Sequence, residues 1–433
     1  MNSKVGIVGG GITGLTLAHY LADRGVAFTL FEAAPDPGGV VRSERVDGHL
    51  LEWGPQRVRR TDRIDGLIRD LGLESEVRTA DPDLPICVYA DGEVRPAPFS
   101  VDEFGETDLL SAEAKRTVLA EPSTDPADPD ETAAEMFTRK FGEETYRNLL
   151  GPLFGGIYGS DPAEMPVGHA LSGLLKLEQR DGSLLKAAIK RAEGGRDTPP
   201  AISFDGGLQR LPEALAEAHA DSIRLETPVT RVSEAEGDDG GYEVETPEGT
   251  AEFEQVVLTT PADLTADLVA GLAPDSADAL RELNYNPLAM VYLRTDLSAG
   301  DVDPALGYQV GFDADLRTLG VSWNASMFDR DVVTAFLGGM HDPEVLDESE
   351  DRMGEIAATE FEQVTGAPAE VVAVNVLGRG FPAYDASWEA LERVDLPKGL
   401  RLATNYTARM GVPSRIREAE ALADELATSR DEE

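Results

Sequence analysis

The sequence predicts an α/β protein assembled from several stretches of one chain, and three observations predict it. Residues 5–15, VGIVGGGITGL, set a short apolar run against a glycine-rich turn and the start of an amphipathic stretch. Residues from about 90 to 200 read as mostly helical, and those from about 283 to 365 are rich in strand-like runs. A chain of 433 residues exceeds what one compact core holds, so two or three domains are expected.

Val5, Ile7 and Val8 make the first predicted strand, and Gly9 to Gly14 the turn. Leu15, Leu17, Ala18, Leu21 and Ala22 make the inward stripe of a helix ending near Gly25. Gly9 allows the turn, Gly11 lets backbone approach a pyrophosphate, and Gly14 lets the helix pack on the strand, with phosphates at the helix's positive end. A second strand, Ala27 to Phe31, delivers Glu32 to where an acid accepts hydrogen bonds from a ribose. This is a Rossmann-like dinucleotide site, and at this point NAD and FAD both fit it. Beyond Glu32, EAAPDPGGVVRSE carries the pair Gly38-Gly39 and then Arg42, and LEWGPQR puts Gly54-Pro55 in another tight turn. Paired glycines permit a second close backbone approach, and an arginine there can meet a phosphate in a fork.

GGGITGL, the acid of FEAAPDPGGVVRS and EWGPQR together resemble the amino-terminal FAD signature of the flavin amine oxidase superfamily. Within it they are most similar to the protoporphyrinogen and coproporphyrinogen oxidases. The resemblance implies FAD as cofactor, held by Gly9, Gly11, Ile12, Thr13, Gly14, Glu32, Gly38, Gly39, Val40, Arg42, Gly54, Pro55, Gln56 and Arg57. One position departs: the superfamily usually has arginine where this chain has Asp36.

The remaining elements follow in order. Residues 120–134, AEPSTDPADPDETAA, are acidic and proline-rich and read as a solvated loop inside the helical insertion. ISFDGGLQRLPEALAEAH reads as a turn and amphipathic helix. From 227 the pattern alternates with period two, with turn signals at 237–241 and at Pro247-Glu248-Gly249, so a small antiparallel meander is expected to run into a buried strand, Val256 to Thr259. By resemblance, the backbone of Val229 contacts the adenine. PLAMVYLR, LGYQVGF, LGVSWNASMF and VVTAFLGG, with the pair Gly338-Gly339, resemble the substrate domain of porphyrinogen oxidases, and GFPAYDASW at 380–388 resembles the same family's proline-tyrosine segment. A plain half-buried sheet is the alternative for these strands. The last segment, LRLATNYTARMGVPSRIREAEALADEL, matches the family at Asn405, Gly411, Val412 and Pro413, which the resemblance places at the flavin. It departs where the family has glycine and this chain has Thr404, Arg409 and Ala419, and where the family often has cysteine and this chain has Arg415.

The resemblance thus implies a Rossmann-like FAD-binding domain interleaved with a mixed-sheet substrate domain and a helical insertion. Its expected parts are 1–88, 203–282 and 395–433 for the FAD domain, 89–202 for the insertion and 283–394 for the substrate sheet.

Composition bounds the function. The chain has 81 acidic residues against 38 basic ones, 7 of them lysine, for a formal net charge of −43. Such self-repulsion suits a salty, halophilic cytoplasm, and it argues against nucleic acid, which needs a basic face. Cys87 is the single cysteine, so no internal disulfide forms. The five histidines show no metal-ligand spacing and no metal is expected. Without a leader or an apolar run of about 18 residues, the chain reads as cytoplasmic, soluble or bound at a membrane surface. A basic and leucine-rich stretch, 169–195, is the candidate membrane contact; a helical pair packing its leucines on the core is the alternative.

The implied reaction is oxidation of protoporphyrinogen or coproporphyrinogen, with hydride passing from a bridge carbon to flavin N5 across about 3–3.5 Å. No catalytic triad or carboxylate pair is needed and none is seen. Arg95 is the candidate cation for a substrate propionate. With no second nucleotide motif, electrons leave to oxygen or a diffusible acceptor. No lysine occurs between Arg191 and Pro397, which disfavours an amine substrate by comparison with the superfamily. A carotenoid-type desaturase and a non-catalytic flavin- or tetrapyrrole-binding relative are the alternatives.

Overall fold

In the computed structural model, residues 5–193, 199–235, 240–407 and 411–428 are described. The strand Val5–Val8 is wholly buried and lies at the centre of a five-stranded sheet. Phe28–Phe31 and then Ile223–Arg224 pair on one side of it, and Gln255–Leu258 and then Leu400–Leu402 on the other, all parallel. Continuous apolar runs such as VGIV and QVVL suit a sheet covered on both faces. The first helix, Ile12–Asp23, packs on the last, Val412–Thr428, through Leu15, Leu17, Ile416, Ala419 and Ala423. Arg24 and Asp424 tie the same pair at 2.6 Å. Chain segments separated by most of the sequence therefore build one core.

The expected meander is present as Arg231–Glu234, Tyr242–Thr246 and Gly249–Phe253. Its first turn, 236–239, lies outside the described residues. The second large sheet has seven strands in the order Ala369–Pro382, Tyr285–Thr295, Val332–Gly338, Thr318–Ser322, Gly307–Val310, Ile86–Ala90, Glu93–Pro96. It is mixed, because Gly307–Val310 pairs parallel with Ile86–Ala90 while the other pairs are antiparallel. The expected boundary at 88/89 thus falls inside a strand of this sheet. The helix Glu350–Thr365, capped by the Ser349 side chain, covers one face.

Between the strand Glu93–Pro96 and the strand Ala201–Phe204 the described residues are mostly helical. Ser100 with Glu103, and Thr132 with Glu135, close two reciprocal capping boxes that fix where helices start. The stretch 120–134 is not wholly solvated as expected. Glu121 is buried, where it accepts from the amides of Leu184 (3.2 Å) and Leu185 (3.1 Å) and lies 3.4 Å from Lys140 Nζ. Lys140 also donates to Glu178 at 2.5 Å and to the Asp125 carbonyl at 3.0 Å, so an acidic run is anchored by one buried cation. In the candidate membrane stretch Leu184 is buried and Leu174 and Leu175 pack on the same core, which is the alternative reading. No helix among the described residues is long and apolar enough to cross a membrane.

Candidate functional site

The first glycine turn is built as its spacing requires. Gly9 has φ +109°, and a side chain there would run into Thr259 at 2.5 Å. The Thr259 hydroxyl lies 3.0 Å from the Val8 carbonyl oxygen and 2.9 Å from that of Gly9. A side chain at Gly14 would overlap the Gly9 carbonyl oxygen, so only glycine lets the helix close on the strand. Gly11 is different: a Cβ there would meet nothing within 4 Å, which leaves open space at the amino end of Ile12–Asp23. That end has no side-chain cap, and the first-turn amides of Ile12, Thr13 and Gly14 have no partner within the helix.

The second glycine pair closes on the first. Gly38, at φ +119°, donates its amide to the Gly10 carbonyl at 2.8 Å, and a Cβ on Gly39, at φ +61°, would come 3.3 Å from the Gly11 Cα. A side chain on Gly54 would overlap the Val40 carbonyl oxygen, so the third turn stacks on the second. The result is a cradle free of Cβ atoms beside an uncapped helix end, which fits the phosphates of a dinucleotide. Glu32 stands next to it, its carboxylate accepting from the amides of Gly10 (2.5 Å) and Ala34 (2.8 Å). Val40 and Arg42 are exposed at the rim, Arg42 3.8 Å from Glu44, and Asp36 is exposed as well.

Val229 packs partly buried against the meander core. Asn405 is half-buried, Gly411 has φ +106° and Val412 is buried, while Pro413 stands in the first turn of the last helix. Thr404 is buried, and its hydroxyl accepts from the amides of Thr407 (3.2 Å) and Tyr406 (3.4 Å), so it caps a local turn. Ala419 sits in the helix-helix core, and Arg415 is buried 3.3 Å from Glu418. Arg409 lies outside the described residues.

Gln56 and Arg57, expected among the cofactor residues, bond to the seven-stranded sheet and to the short helix Asn324–Phe328 beside it, and Gln56 also to its own turn. Gln56 Oε1 accepts from Asn324 (2.8 Å) and Thr334 (2.7 Å), and its Nε2 donates to the carbonyls of Glu52 and Gly54. Arg57 donates to Ser322 Oγ at 3.0 Å. Both line a cavity of about 300 Å³, together with Pro55, Gln309, Leu288, Val321, Phe336 and Phe381. Burial, reinforced by Arg59, pushes the Arg57 guanidinium down to about 10. Arg95 is elsewhere: it pairs with Glu93 at 2.9 Å on the edge strand and does not line the cavity.

Two groups of residues went unread in the sequence. The helix Gly151–Tyr158 contributes Gly156 and Ile157 to the cavity, and it approaches so closely that Cβ atoms at Gly155 and Gly156 would collide with Phe312 and Gln309. The glycine density of GPLFGGIYG was its signal. Glu52 is fully buried and accepts from Ser43 (2.5 Å), Ser203 (2.9 Å), the Leu208 amide (3.0 Å) and Arg330 (3.0 Å). It joins both early segments of the nucleotide domain to the substrate sheet; only its place in LEWGPQR hinted at this. The scattered histidines also meet in part, His19 Nδ1 lying 3.1 Å from His219 Nε2.

Comparison with known proteins agrees with this architecture. Protoporphyrinogen oxidase 2 of Arabidopsis thaliana is 27% identical over 95% of this chain and 91% of its own length. Coproporphyrinogen III oxidase of Staphylococcus aureus is 25% identical over 98% and 99%. The crystal structure of a provisionally named protoporphyrinogen oxidase from Exiguobacterium sp. 255-15 superposes with a TM-score of 0.80, at 25% identity, covering 99% of this chain and 100% of that one. Residues 12–426 match the model of the family described as flavin containing amine oxidoreductase, and with the cradle and fold above, the chain belongs to that family.

Proposed function

We propose that this protein is an FAD-dependent oxidoreductase that oxidises a porphyrinogen, protoporphyrinogen IX or coproporphyrinogen III, to the porphyrin in haem synthesis. One observation carries this reading within a family that also takes amines. Among the described residues the cavity wall holds no carboxylate, lysine or histidine, and its one charged group is the cation of Arg57. An ammonium substrate would find no counter-charge there, whereas a large apolar donor bearing carboxylates would find both surfaces it needs. The names of the two curated relatives support the same substrate class.

The cradle of Gly9, Gly11, Gly38 and Gly39 would take the phosphates on main-chain amides, Ile12, Thr13 and Gly14 supplying the helix end, Arg42 a rim cation and Glu32 the ribose acceptor. Gly54 and Pro55, with Val229, Asn405, Gly411, Val412 and Pro413, would complete the FAD site. Bound FAD supplies the two-electron acceptor for hydrogen leaving a bridge carbon. The chain's own work is positioning: Leu288, Val321, Phe336 and Phe381 exclude water and hold the macrocycle, while Gln56 locks the wall to the cradle. Oxygen or a diffusible acceptor takes the electrons onward.

The test is anaerobic mixing of the yellow holoprotein with protoporphyrinogen IX, coproporphyrinogen III and a primary amine. Bleaching of the flavin band by a porphyrinogen, with porphyrin fluorescence rising in step, is expected. Bleaching by the amine alone would overturn the reading.

A further inference from the structure

We propose that Arg57 is the specificity residue of the cavity: its guanidinium, held by Ser322, receives a carboxylate of the substrate. The inference rests on the porphyrinogen reading and deepens it.

Arginines in this acidic chain are usually neutralised. Arg24, Arg139, Arg317 and Arg330 each have a carboxylate oxygen within 3.0 Å. Arg57 has none among the described residues within ion-pair distance, although the chain carries 81 acids to 38 bases. Its one hydrogen-bond partner among the described residues is the neutral hydroxyl of Ser322. Arg59, two residues along and close enough for its charge to act on Arg57, likewise has no acidic partner among the described residues and donates to the Pro199 carbonyl at 3.2 Å. A cation drawn out of water and placed beside another cation is costly unless an anion completes the site. Burial and the Arg59 charge hold Arg57 below the usual arginine range, the signature of a cation lacking a counter-charge.

The anion is assigned to the donor and not to the cofactor by the walls. Gly307, Gln309, Gly320, Val321 and Ser322 line the cavity with Arg57; of the residues expected to hold FAD, Pro55 and Gln56 also reach it, whereas none of the phosphate-cradle residues Gly9 to Gly14, Glu32, Gly38 and Gly39 does. Ser322 fixes the guanidinium from the sheet side, leaving the rest of its planar fork for two parallel hydrogen bonds to a carboxylate. Arg57 is only partly exposed and much of the wall is apolar, so fewer waters compete for such a pair than at the open surface.

The experiment measures binding of protoporphyrin IX and of its dimethyl ester to the holoprotein, in the same detergent, by fluorescence quenching. The wild type is expected to bind the diacid more tightly than the ester. In Arg57→Met the diacid should weaken about 10- to 100-fold, the ester hardly at all, and flavin content should stay unchanged. Arg57→Lys should recover part of the preference, and Ser322→Ala, which leaves the charge in place, should lose a smaller part. Equal weakening of acid and ester, or no preference in the wild type, would overturn the proposal. Loss of flavin with the acid preference intact would return Arg57 to the cofactor. Should no porphyrinogen bleach the flavin while the acid preference still depends on Arg57, the reaction assignment fails and this site stands.

Discussion

Replacing Glu52 by alanine should be among the most destabilising single changes in the protein. Its carboxylate has no exposure and accepts from two serine hydroxyls, one backbone amide and Arg330. Arg330 is itself 9% exposed in its side chain, and its other nitrogen donates to Ser203 at 3.0 Å. Removing the carboxylate leaves that guanidinium buried without a counter-charge, a loss of about 3–5 kcal/mol. The Leu208 amide and two hydroxyls also lose their acceptor, so the upper end of that range is expected. Glu52→Gln keeps an acceptor of the same shape and should cost roughly 2 kcal/mol. Arg330→Met in the Glu52→Gln background removes the orphaned charge, so the double variant should be more stable than the sum of the two singles by about 1–3 kcal/mol. Urea midpoints at constant high salt measure all four proteins without altering screening. Additive singles, or a Glu52→Ala loss below about 1 kcal/mol, would refute the reasoning.

The other predictions concern charge, pH and packing. With a formal charge of −43, the urea midpoint should rise steadily as KCl goes from about 0.1 to 2 M, and an unchanged midpoint would contradict net self-repulsion. Burial and His19 lower the His219 imidazole from 6.5, so the folded state favours its neutral form. Stability from this residue is therefore present above pH of about 6.5 and lost as pH falls from there through the lowered folded value. His219→Phe should flatten that part of the stability-pH curve; an equal slope would count against it. Gly159 has φ +54°, and a Cβ there would meet Phe381 at 2.5 Å. Gly159→Ala should cost about 1–3 kcal/mol and weaken porphyrin binding by displacing the helix over the cavity, both read from melts and titrations.

How much was legible follows from where each residue's partners lie. The glycine turn could be read because its tightest constraint is local, Gly14 closing on the Gly9 carbonyl five residues earlier, whereas the Thr259 that crowds Gly9 is distant in the chain and was not foreseen. The meander and the seven-stranded sheet were visible as alternating runs, but Ile86–Ala90 looked like the end of the first domain because its partner, Gly307–Val310, is distant in the chain. Gln56 and Arg57 sit inside a cofactor signature, yet the Asn324, Thr334 and Ser322 that hold them come from the other domain. Arg95 looked available although its partner Glu93 is only two residues before it on the same edge strand, because whether two such side chains pair depends on rotamers that the sequence does not fix. Composition misled at Glu121: an acidic, proline-rich run reads as solvated, and Lys140 together with the amides of Leu184 and Leu185, brought in by two helices, explains its burial. Thr404 and Ala419 depart from the family's glycines, and the structure places the first in a turn cap and the second in a core.

The central claim, that a cradle without Cβ atoms seats FAD beside the first helix, is tested most directly at Gly11. Beyond Gly11 and its chain neighbours, no atom of the described residues lies within 4 Å of a Cβ placed there, so Gly11→Val should fold with the wild-type circular dichroism spectrum and melt cooperatively. Flavin released on denaturation should approach one per chain in the wild type and fall nearly to zero in the variant. A folded Gly11→Val protein that kept its full complement of FAD would contradict the account.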